Sequence, residues 1–344
     1  MIIELAERGW VPDPLLRFGI RRLLSRRIGQ ERARARGDLE THKHEFIEGL
    51  SQGSVAEARE QANEQHYEVP AAFFREVLGP WLKYSCCLWD KEVRTLAEAE
   101  LAMLRLYGER AGLADGQQVL DLGCGWGSFS LWAAETFPGS EITAVSNSAS
   151  QREYIEQQAR LRALPNLCAV TADAATLAPA QQYDRVVSVE MFEHMRNHRL
   201  LMDRIHDWLV PGGILFVHVF CHRELLYAFE DEGSTSWMAR NFFTGGIMPS
   251  RDLLPRVSGR LALEQQWDLN GMHYARTLES WLDNLDSRHE RLLPVARDAA
   301  GGLSSPEQWL QRWRIFFMAC AELFAYRGGE QWLVGHYRFR RPQS

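Results

Sequence analysis

Three titratable side chains lie close together in the segment VSVEMFEHM, namely Glu190, Glu193 and His194. Their i, i+3 and i+4 spacing, where a predicted strand turns into a helix, directs all three towards one patch. Two neighbouring carboxylates raise the pKa of one of them, and a histidine beside them can pass a proton near neutral pH. The cluster therefore predicts a site that attracts a cation and takes a proton from it. A structural alternative is that the two glutamates only favour the dipole of a helix N-terminus.

A glycine-rich turn, VLDLGCGWGSF, lies upstream, where another strand is predicted to meet a helix. Its glycines Gly123, Gly125 and Gly127 let the backbone turn sharply and approach a ligand, and the helix that follows offers free N–H groups. A dinucleotide fingerprint would need glycine at position 128, where this chain has Ser128. The loop instead reads D-x-G-x-G-x-G, which is typical of methyltransferases that use S-adenosylmethionine (SAM). SAM carries an ammonium and a sulfonium group, so the carboxylate of Asp121 is suited to bind its amino group.

The elements that must position these residues alternate along the middle third of the chain. Short β-branched runs are separated by stretches of helical character at 127–137, 149–163 and 194–209. Short buried strands that alternate with helices indicate a parallel sheet covered on both faces. Ligands of such sheets bind at the carboxyl ends of the strands, where both segments above are placed. The five predicted strands are Val119–Leu122, Ile142–Val145, Leu167–Val170, Arg185–Val189 and Ile214–Val219.

Two further strand ends carry candidates for binding the adenosine part of SAM. Methyltransferases usually place an acid on the ribose hydroxyls after the second strand. This chain has Asn147 and Gln151 there, whose amides can also bond a diol. After the third strand, Asp173 is predicted to accept from the adenine amine, and the backbone N–H of Ala174 is predicted to reach the ring. A turn or capping role is the alternative for Asp173.

Composition excludes several other classes of protein. The 344-residue chain is 46% hydrophobic and 24% charged, which is typical of a globular protein with one large domain or two small ones. Its net charge of −6 argues against nucleic-acid binding, which needs a positive surface. The six cysteines include no C-x-x-C pair, and no cluster of metal ligands is visible. With no secretory signal pattern and no apolar stretch near the ~20 residues that span a bilayer, we expect a cytoplasmic protein without a metal.

A basic, amphipathic segment near the N-terminus is the unusual feature of the sequence. Apolar residues recur at helical spacing between Leu15 and Ile28. From Arg17 to Arg36 the chain has eight arginines and one acidic residue, Glu31. Such a helix can lie on an anionic membrane surface, and the alternative is a packed helix with a solvated arginine face. Peripheral membrane contact and a homodimer both stay open at this point.

Eight segments, taken in order, resemble the cyclopropane-fatty-acid synthase superfamily of SAM enzymes and, within it, the coclaurine N-methyltransferase branch. The resemblance runs from about residue 63 onward. It implies an α/β class I SAM methyltransferase, a Rossmann-like fold with a seven-stranded, mostly parallel sheet and a helical N-terminal and inserted cap. The segments are NEQHYEVP (63–70), LKYSCCLWD (82–90), DLGCGWG (121–127), VSNSASQ (145–151), VSVEMFEHM (187–195), LFVHVFCH (215–222), FFTGGIMPS (242–250) and NGMHYARTLESW (270–281).

On this basis the chain divides into three parts. Residues 1–115 form a helical N-terminal cap segment, and residues 116–221 form the SAM-binding, Rossmann-like core. Residues 222–344 combine a helical cap insertion with the last strands of the core sheet. Those strands are expected near 262–268 and 333–340, one of them antiparallel.

The resemblance also implies roles for residues outside the two opening segments. Tyr84 and Ser85 would reach the methionine carboxylate of SAM. Aromatic side chains would form a cage for a cation or a flat ring, although packing against the sheet is the alternative for each of them. The residues expected at the substrate are Cys86, Trp89, His218, Phe242 and Tyr274.

Two residues distinguish the branches of the superfamily. In cyclopropane synthases a bicarbonate ion takes a proton from the carbocation formed on an alkene. Here Glu190 stands where that branch has a small glycine, and Phe220 stands where it has an isoleucine. A bulky carboxylate changes the charge and volume of that site, and this glutamate is the N-methyltransferase form. The bicarbonate-binding positions map onto Cys86, Glu193, His218 and Tyr274.

The function expected from these features is SAM-dependent N-methylation of a small, hydrophobic, aromatic amine similar to a tetrahydroisoquinoline. The amine must lose its proton before its nitrogen can attack, so Glu193 and His194 are expected to act as base and proton relay while Glu190 steers the ammonium. One alternative is methyl or methylene transfer to unsaturated phospholipid acyl chains, as in cyclopropane synthases. Another is a SAM-sensing or scaffold protein without catalysis.

Overall fold

The computed structural model of the protein describes residues 2–55, 69–229, 237–242, 245–300 and 304–343. Of the segment NEQHYEVP, only Val69 and Pro70 fall within these residues, so the remainder of that motif lies outside the described structure.

The described chain forms nine strands, and short strands among them, such as Tyr183–Val189, carry β-branched residues. The strands are β1 (Gln118–Leu122), β2 (Glu141–Ser146), β3 (Leu167–Thr171), β4 (Tyr183–Val189), β5 (Leu209–His222), β6 (Tyr227–Ala228), β7 (Ile247–Met248), β8 (Ala262–Leu269) and β9 (Trp332–Arg340).

The helices of the described residues begin at capping side chains or prolines in several cases, such as Thr95, Ser148 and Ser305. They are α1 (Ile2–Glu7), α2 (Asp13–Arg34), α3 (Leu39–Ser51), α4 (Ala71–Val77), α5 (Leu96–Ala111), α6 (Ser128–Thr136), α7 (Ala149–Leu161), α8 (His198–Trp208), α9 (Trp237–Phe242), α10 (Leu253–Arg256), α11 (Met272–Ser287), α12 (His289–Ala299) and α13 (Pro306–Ala325).

Seven of the strands form one sheet in the order β3-β2-β1-β4-β5-β9-β8. β9 runs antiparallel to both of its neighbours, and the pairs from β3 to β5 are parallel. The five strands predicted in the middle third are therefore confirmed as β1 to β5, and the two expected last strands are β8 and β9. The strand order reverses direction between β1 and β4, which in open α/β sheets places the ligand crevice at the carboxyl ends of those two strands.

Alternate residues of each strand face opposite layers, because side chains of a strand point alternately up and down. Val119 and Phe216 belong to a hydrophobic cluster that includes Tyr107 of α5. Leu120 and Leu215 belong to a second cluster, on the other face, with residues of α8. His218 has the same parity as Phe216, so it lies on the face that α5 covers.

The first cluster continues from the sheet into a helical cap. It includes Phe74 of α4, Phe129 of α6, Trp281 of α11 and Trp313 of α13. Side chains from all three parts of the chain proposed above therefore share one core. The cap closes over the carboxyl ends of the central strands.

The basic segment near the N-terminus is the helix α2, and its inner face packs on the cap. Arg17 pairs with Glu279 of α11 at 2.6 Å and with Glu322 of α13 at 3.2 Å. Phe18 and Leu23 are exposed on the outer face. The alternative of a packed helix with a solvated arginine face therefore explains why α2 carries so many arginines. Membrane contact and a homodimer remain predictions. Within the described residues, no helix is both long and apolar enough to span a bilayer.

One predicted helix is shorter than expected. The stretch 194–209 is a 3₁₀ turn, Phe192–His194, followed by α8. Asn197 begins α8 because its side chain accepts the N–H of Leu200 at 3.0 Å. Glu193 and His194 thus lie on a separate tight turn and not at the start of an α-helix.

Candidate active site

A cavity of about 480 Å³ lies between the carboxyl ends of the central strands and the cap. Ligand sites in proteins commonly have this size and combine apolar walls with a few polar groups. Of the residues predicted from the sequence, those that line it are Tyr84, Ser85, Gly123, Gly125, Asn147, Gln151, Asp173, Ala174, Glu190, Glu193, His194 and Tyr274. Those that do not line it are Asp121, Gly127, Cys86, Trp89, His218 and Phe242.

The glycine loop joins β1 to α6 along one wall of the cavity. Gly125 has a φ of +53°, and a Cβ built there meets no atom within 4 Å. Gly127 has a φ of +78°, and a Cβ there would lie 2.6 Å from Ile155 of α7. Gly125 therefore exposes backbone to the cavity, whereas Gly127 allows α6 and α7 to pack closely.

Asp121 is buried beneath this loop and is turned away from the cavity. Its Oδ2 accepts a hydrogen bond from the hydroxyl of Ser130 at 2.5 Å, which ties the end of β1 to α6. Burial raises the pKa of Asp121 to about 7. This geometry gives the carboxylate a structural contact that supports the loop, and its predicted contact with the amino group of SAM remains a prediction.

The opposite end of the cavity lies over β2 and β3. Gln151 of α7 is buried, and its Oε1 accepts from the hydroxyl of Ser146 at 2.6 Å. Asp173 follows β3, and its Oδ1 accepts the N–H of Ala175 at 2.7 Å. The turn role considered for Asp173 is therefore present, and the residue also lines the cavity beside Asn147.

Glu190 sits at the end of β4, and its carboxylate is held by three donors. It has a φ of +47°, a left-handed conformation that is rare for a residue with a side chain. The backbone N–H of Cys86 donates to Oε1 at 2.9 Å, and His218 Nε2 lies 3.0 Å from the same oxygen. The hydroxyl of Tyr274 donates to Oε2 at 2.5 Å. Three of the positions mapped onto a bicarbonate site thus surround a carboxylate that belongs to the chain itself.

Glu193 lies beside this arrangement on the 3₁₀ turn. It is buried, and its Oε2 has no hydrogen-bond partner among the described residues. Burial and then the neighbouring charge of Glu190 raise the pKa of Glu193 well above its usual value. Burial also raises the pKa of Glu190, against the opposing influence of Lys83, Tyr274 and the Cys86 N–H. One carboxylate is therefore fixed by donors, and the other has an oxygen available for a proton.

Of the aromatic residues predicted at the substrate, Tyr274 lines the cavity, whereas Trp89 and Phe242 do not. Trp89 donates its Nε1–H to Thr277 at 3.0 Å and lies outside the cavity. Phe242 stacks on Phe316 with 4.1 Å between ring centroids, and it is Phe316 that faces the cavity. The expectation that Trp89 and Phe242 themselves line the pocket is not met, because each packs against a neighbour that shields it. The aromatic rings that do line the cavity are Trp126, Phe129, Phe220, Phe229, Tyr274, Trp281, Phe316 and Phe324, besides Tyr84 and Tyr107.

Comparison with known proteins identifies the family. A family model described as mycolic acid cyclopropane synthetase matches residues 55–331. The chain belongs to this family. It is also 36% identical to the (S)-coclaurine N-methyltransferase of Thalictrum flavum subsp. glaucum over 99% of this chain and 96% of that protein. The (S)-tetrahydroprotoberberine N-methyltransferase of Eschscholzia californica is 34% identical, over 97% of this chain and 96% of that protein.

A solved structure agrees with these relatives. The crystal structure of coclaurine N-methyltransferase bound to N-methylheliamine and SAH superposes with a TM-score of 0.94 and 35% identity, and covers 98% of each chain. The protein is accordingly a SAM-dependent methyltransferase of the cyclopropane synthetase family, and SAM is its methyl donor.

The lining of the cavity along the glycine loop suits SAM. Ser128 at the start of α6 is buried and lines the cavity, and its hydroxyl has no hydrogen-bond partner among the described residues. No side chain caps α6 at Gly127, so the N–H groups at its start, other than that of Ser130, which donates to Asp121, can meet an electron-rich group of a ligand. Gly125 and Ser128 would hold SAM along the glycine loop, and Gln151 would hold it from the opposite end of the cavity. No group of three or more potential metal ligands occurs in the part of the chain that the structure describes.

Several residues of the site were not predicted from the sequence. Lys83 is buried, and its Nζ donates to Ser85 Oγ and to the carbonyl of Cys86, both at 2.6 Å. Glu100 of α5 accepts the backbone N–H groups of Trp81 at 3.0 Å and of Lys83 at 3.2 Å, which fixes the loop before α5. Lys83 lies within a segment that carries the family resemblance, and a lysine between apolar residues is the signal that would have found it.

Proposed function

We propose that this methyltransferase transfers the methyl group of SAM to the nitrogen of a small, hydrophobic, aromatic amine of the tetrahydroisoquinoline class. The observation that carries the proposal is the pair of carboxylates at the substrate end of the cavity, Glu190 and Glu193, enclosed by aromatic rings. A protonated amine is a cation with an apolar body, and such a cavity offers it both a counter-charge and ring faces.

Glu190 binds the ammonium form of the amine. Three donors hold its carboxylate in one position, and Lys83 lies close enough to favour its charged form. In its ionised form this immobile carboxylate attracts a cation and also orients it. The similarity to N-methyltransferases supports an amine as the substrate.

Glu193 takes the proton that the amine must lose. The residue lines the same cavity, its Oε2 has no partner among the described residues, and its raised pKa makes its ionised form a stronger base than an ordinary glutamate. His194 follows on the same turn, is half-buried and lines the cavity, so it can pass the proton towards solvent. When bound, SAM supplies a methyl carbon whose bond to sulfur breaks as the lone pair of the amine attacks, with the bonding electrons left on sulfur.

Transfer to phospholipid acyl chains is the second candidate, and the retention of Cys86, His218 and Tyr274 favours it. The carboxylate of Glu190 accepts hydrogen bonds from all three, so a separate anion has no place between them. The described cavity is lined by rings on its substrate side, which suits a compact aromatic molecule better than a long chain.

One experiment separates the candidates. The purified protein is incubated with SAM and a panel of tetrahydroisoquinolines and phenethylamines, and separately with vesicles of unsaturated phospholipid. S-adenosylhomocysteine release and product mass are followed. We expect amine products heavier by one methyl group, with no change in the lipids. Methylated or cyclopropanated lipid in the absence of amine turnover would overturn the proposal.

A further inference from the structure

A line of hydrogen bonds leads from Glu190 through the sheet to Arg110 on α5. His218 Nε2 lies 3.0 Å from Glu190 Oε1, and His218 Nδ1 lies 2.7 Å from His336 Nε2. His336 Nδ1 in turn lies 2.6 Å from Nη1 of Arg110. No step of this line exceeds ordinary hydrogen-bond length.

The two histidines meet because of strand register. His218 of β5 and His336 of β9 are direct partners in the antiparallel pairing, and both side chains face α5. Both are fully buried. Arg110 is half-buried, and its guanidinium stacks on Trp267 of β8 with 4.6 Å to the ring centroid. The guanidinium therefore has a fixed position from which it reaches His336.

We propose that Arg110 is a positioning residue for methyl transfer, because through His336 it fixes the tautomer of His218 that donates to Glu190. The role of Glu190 in this inference rests on the proposed function. Which atom donates and which accepts in each hydrogen bond of the line follows from the structure alone.

The polarity follows from the chemistry of the end group. A guanidinium has N–H donors and no acceptor, so Nδ1 of His336 must accept. A neutral His336 then carries its proton on Nε2 and donates it to Nδ1 of His218. His218 in turn carries its proton on Nε2, which donates to Glu190.

Only one assignment of the two tautomers is possible when the rings of His218 and His336 are both neutral. Burial lowers the pKa of His218 well below its usual value, and Lys83 and Arg110 lower it further. Burial likewise lowers the pKa of His336, together with His218 and Arg110. Each ring therefore has one donor and one acceptor. The line orients groups and does not conduct protons, because it ends in a guanidinium that does not take one up.

Tyr107 of α5 contacts the same nitrogen of His218 from the side. Its hydroxyl lies 2.9 Å from Nδ1 and also bonds Ser85. Nδ1 of His218 has one lone pair, so the hydroxyl of Tyr107 and the Nε2–H of His336 share it, and either donor gives His218 the same tautomer. If Tyr107 alone set the tautomer, a change at Arg110 would have no effect.

Loss of the Arg110 donor frees His336 to adopt the other tautomer, and His218 then turns a lone pair towards Glu190. The carboxylate loses a donor, so its charged form is less favoured and its pKa rises. The remaining titratable groups that face Glu190 from other elements are unchanged by this substitution. They are Lys83, Cys86, Cys87, Tyr107, Glu193, Tyr274 and Cys320.

The test compares Arg110→Met, Arg110→Lys and the control Arg276→Met, which removes a different guanidinium stacked on Trp89 at 4.4 Å. For Arg110→Met we expect KM for the amine to rise about tenfold, the size of one lost bond to a charged group, with kcat less affected. The acidic limb of the pH profile of kcat/KM should move to higher pH. Arg110→Lys restores a donor and should recover part of the loss, and Arg276→Met should leave the profile unchanged.

A second readout needs no turnover. Histidine labelled with ¹⁵N is incorporated into the full chain, and long-range ¹H–¹⁵N spectra distinguish Nδ1–H from Nε2–H rings, with His218 and His336 assigned from His→Asn variants. We expect both rings as the Nε2–H form in the unsubstituted protein and a changed tautomer in Arg110→Met. Unchanged tautomers together with an unchanged KM in Arg110→Met would overturn the proposal. Changed tautomers without amine turnover in any variant would instead count against the proposed function alone.

Discussion

The hydroxyl of Tyr274 on α11 donates to Glu190 at the end of β4, with 2.5 Å between the two oxygens. The same tyrosine stacks on Phe324 of α13 with 4.3 Å between ring centroids. One side chain therefore joins two cap helices to the carboxylate that we assign to the ammonium. Placement of the cap and binding of the amine are linked through this contact.

Removal of this hydroxyl should weaken amine binding. Tyr274→Phe keeps the ring stack and removes a bond to a charged group, so we expect KM for the amine to rise about tenfold. The pKa of Glu190 should also rise, which moves the acidic limb of kcat/KM to higher pH. Steady-state kinetics between pH 6 and 9 measures both. Tyr227→Phe is the matched control, since its buried hydroxyl bonds Trp332 outside the cavity, and an equal effect there would contradict the assignment.

The two carboxylates should give different kinetic defects. Glu193→Gln removes the base, so kcat should fall by roughly 10²- to 10⁴-fold with little change in KM. Glu190→Gln removes the counter-charge, so KM should rise while SAM affinity, measured by calorimetry, stays unchanged. Near-full turnover by Glu193→Gln would show that the base lies elsewhere, and rescue of that variant at high pH would show that its role is proton removal.

His194 should contribute less than Glu193. It is half-buried, so water can replace it in moving the proton away from the glutamate. We expect His194→Ala to lower kcat about tenfold at neutral pH. A larger defect than that of Glu193→Gln would reverse the two roles.

Asp121 should make stability depend on pH. Its pKa is about 7 in the folded protein, above the ordinary value for an aspartate, so folding takes up a proton between about pH 4 and 7. The free energy of unfolding should therefore fall as pH rises through this window, by up to about 1.4 kcal/mol for each pH unit. Urea unfolding at several pH values should show a flatter dependence for Asp121→Asn. Ser130→Ala should shift the window upwards, because it removes the donor that favours the charged form.

Substitution of two glycines of the same loop should cause different defects. Gly125→Ala places a methyl group in the cavity and should weaken SAM binding more than tenfold, with a modest loss of stability from its positive φ. Gly127→Ala brings a methyl group to 2.6 Å from Ile155 and should lower the melting temperature by several degrees or prevent folding. Calorimetric SAM binding and thermal unfolding, measured on both variants, distinguish the two. Equal effects on SAM affinity at equal stability would contradict the separate roles.

Much of the fold and part of the site follow from local sequence patterns. Strand runs such as Val119–Leu122 and the spacing of Glu190 and Glu193 are local signals, and the structure places these elements as expected. The face of a strand to which a particular side chain points is harder to predict from the sequence. Asp121 precedes the glycine loop as the motif requires, yet the pleat of β1 turns it under α6 and towards Ser130.

Residues whose part in the site depends on distant pairing were not found. His336 meets His218 only through the register of β9 on β5, which no local pattern encodes. The prediction that Trp89 and Phe242 line the cavity was wrong for a related reason. Trp89 and Phe242 have the right residue type, but cap packing decides which rings of a chain with twelve tryptophans reach the cavity and which lie behind them.

β9 has a consequence for how the protein is made. It lies between β5 and β8 in the sheet, although it is the last strand of the described chain. Until those residues have been synthesised, the hydrogen-bonding edge of β5 is open and available to other chains. During that interval the ring of His218 also lacks its contact with His336 of β9. The central strands are thus made early, and the arrangement of protons around His218 is complete only when β9 docks beside β5.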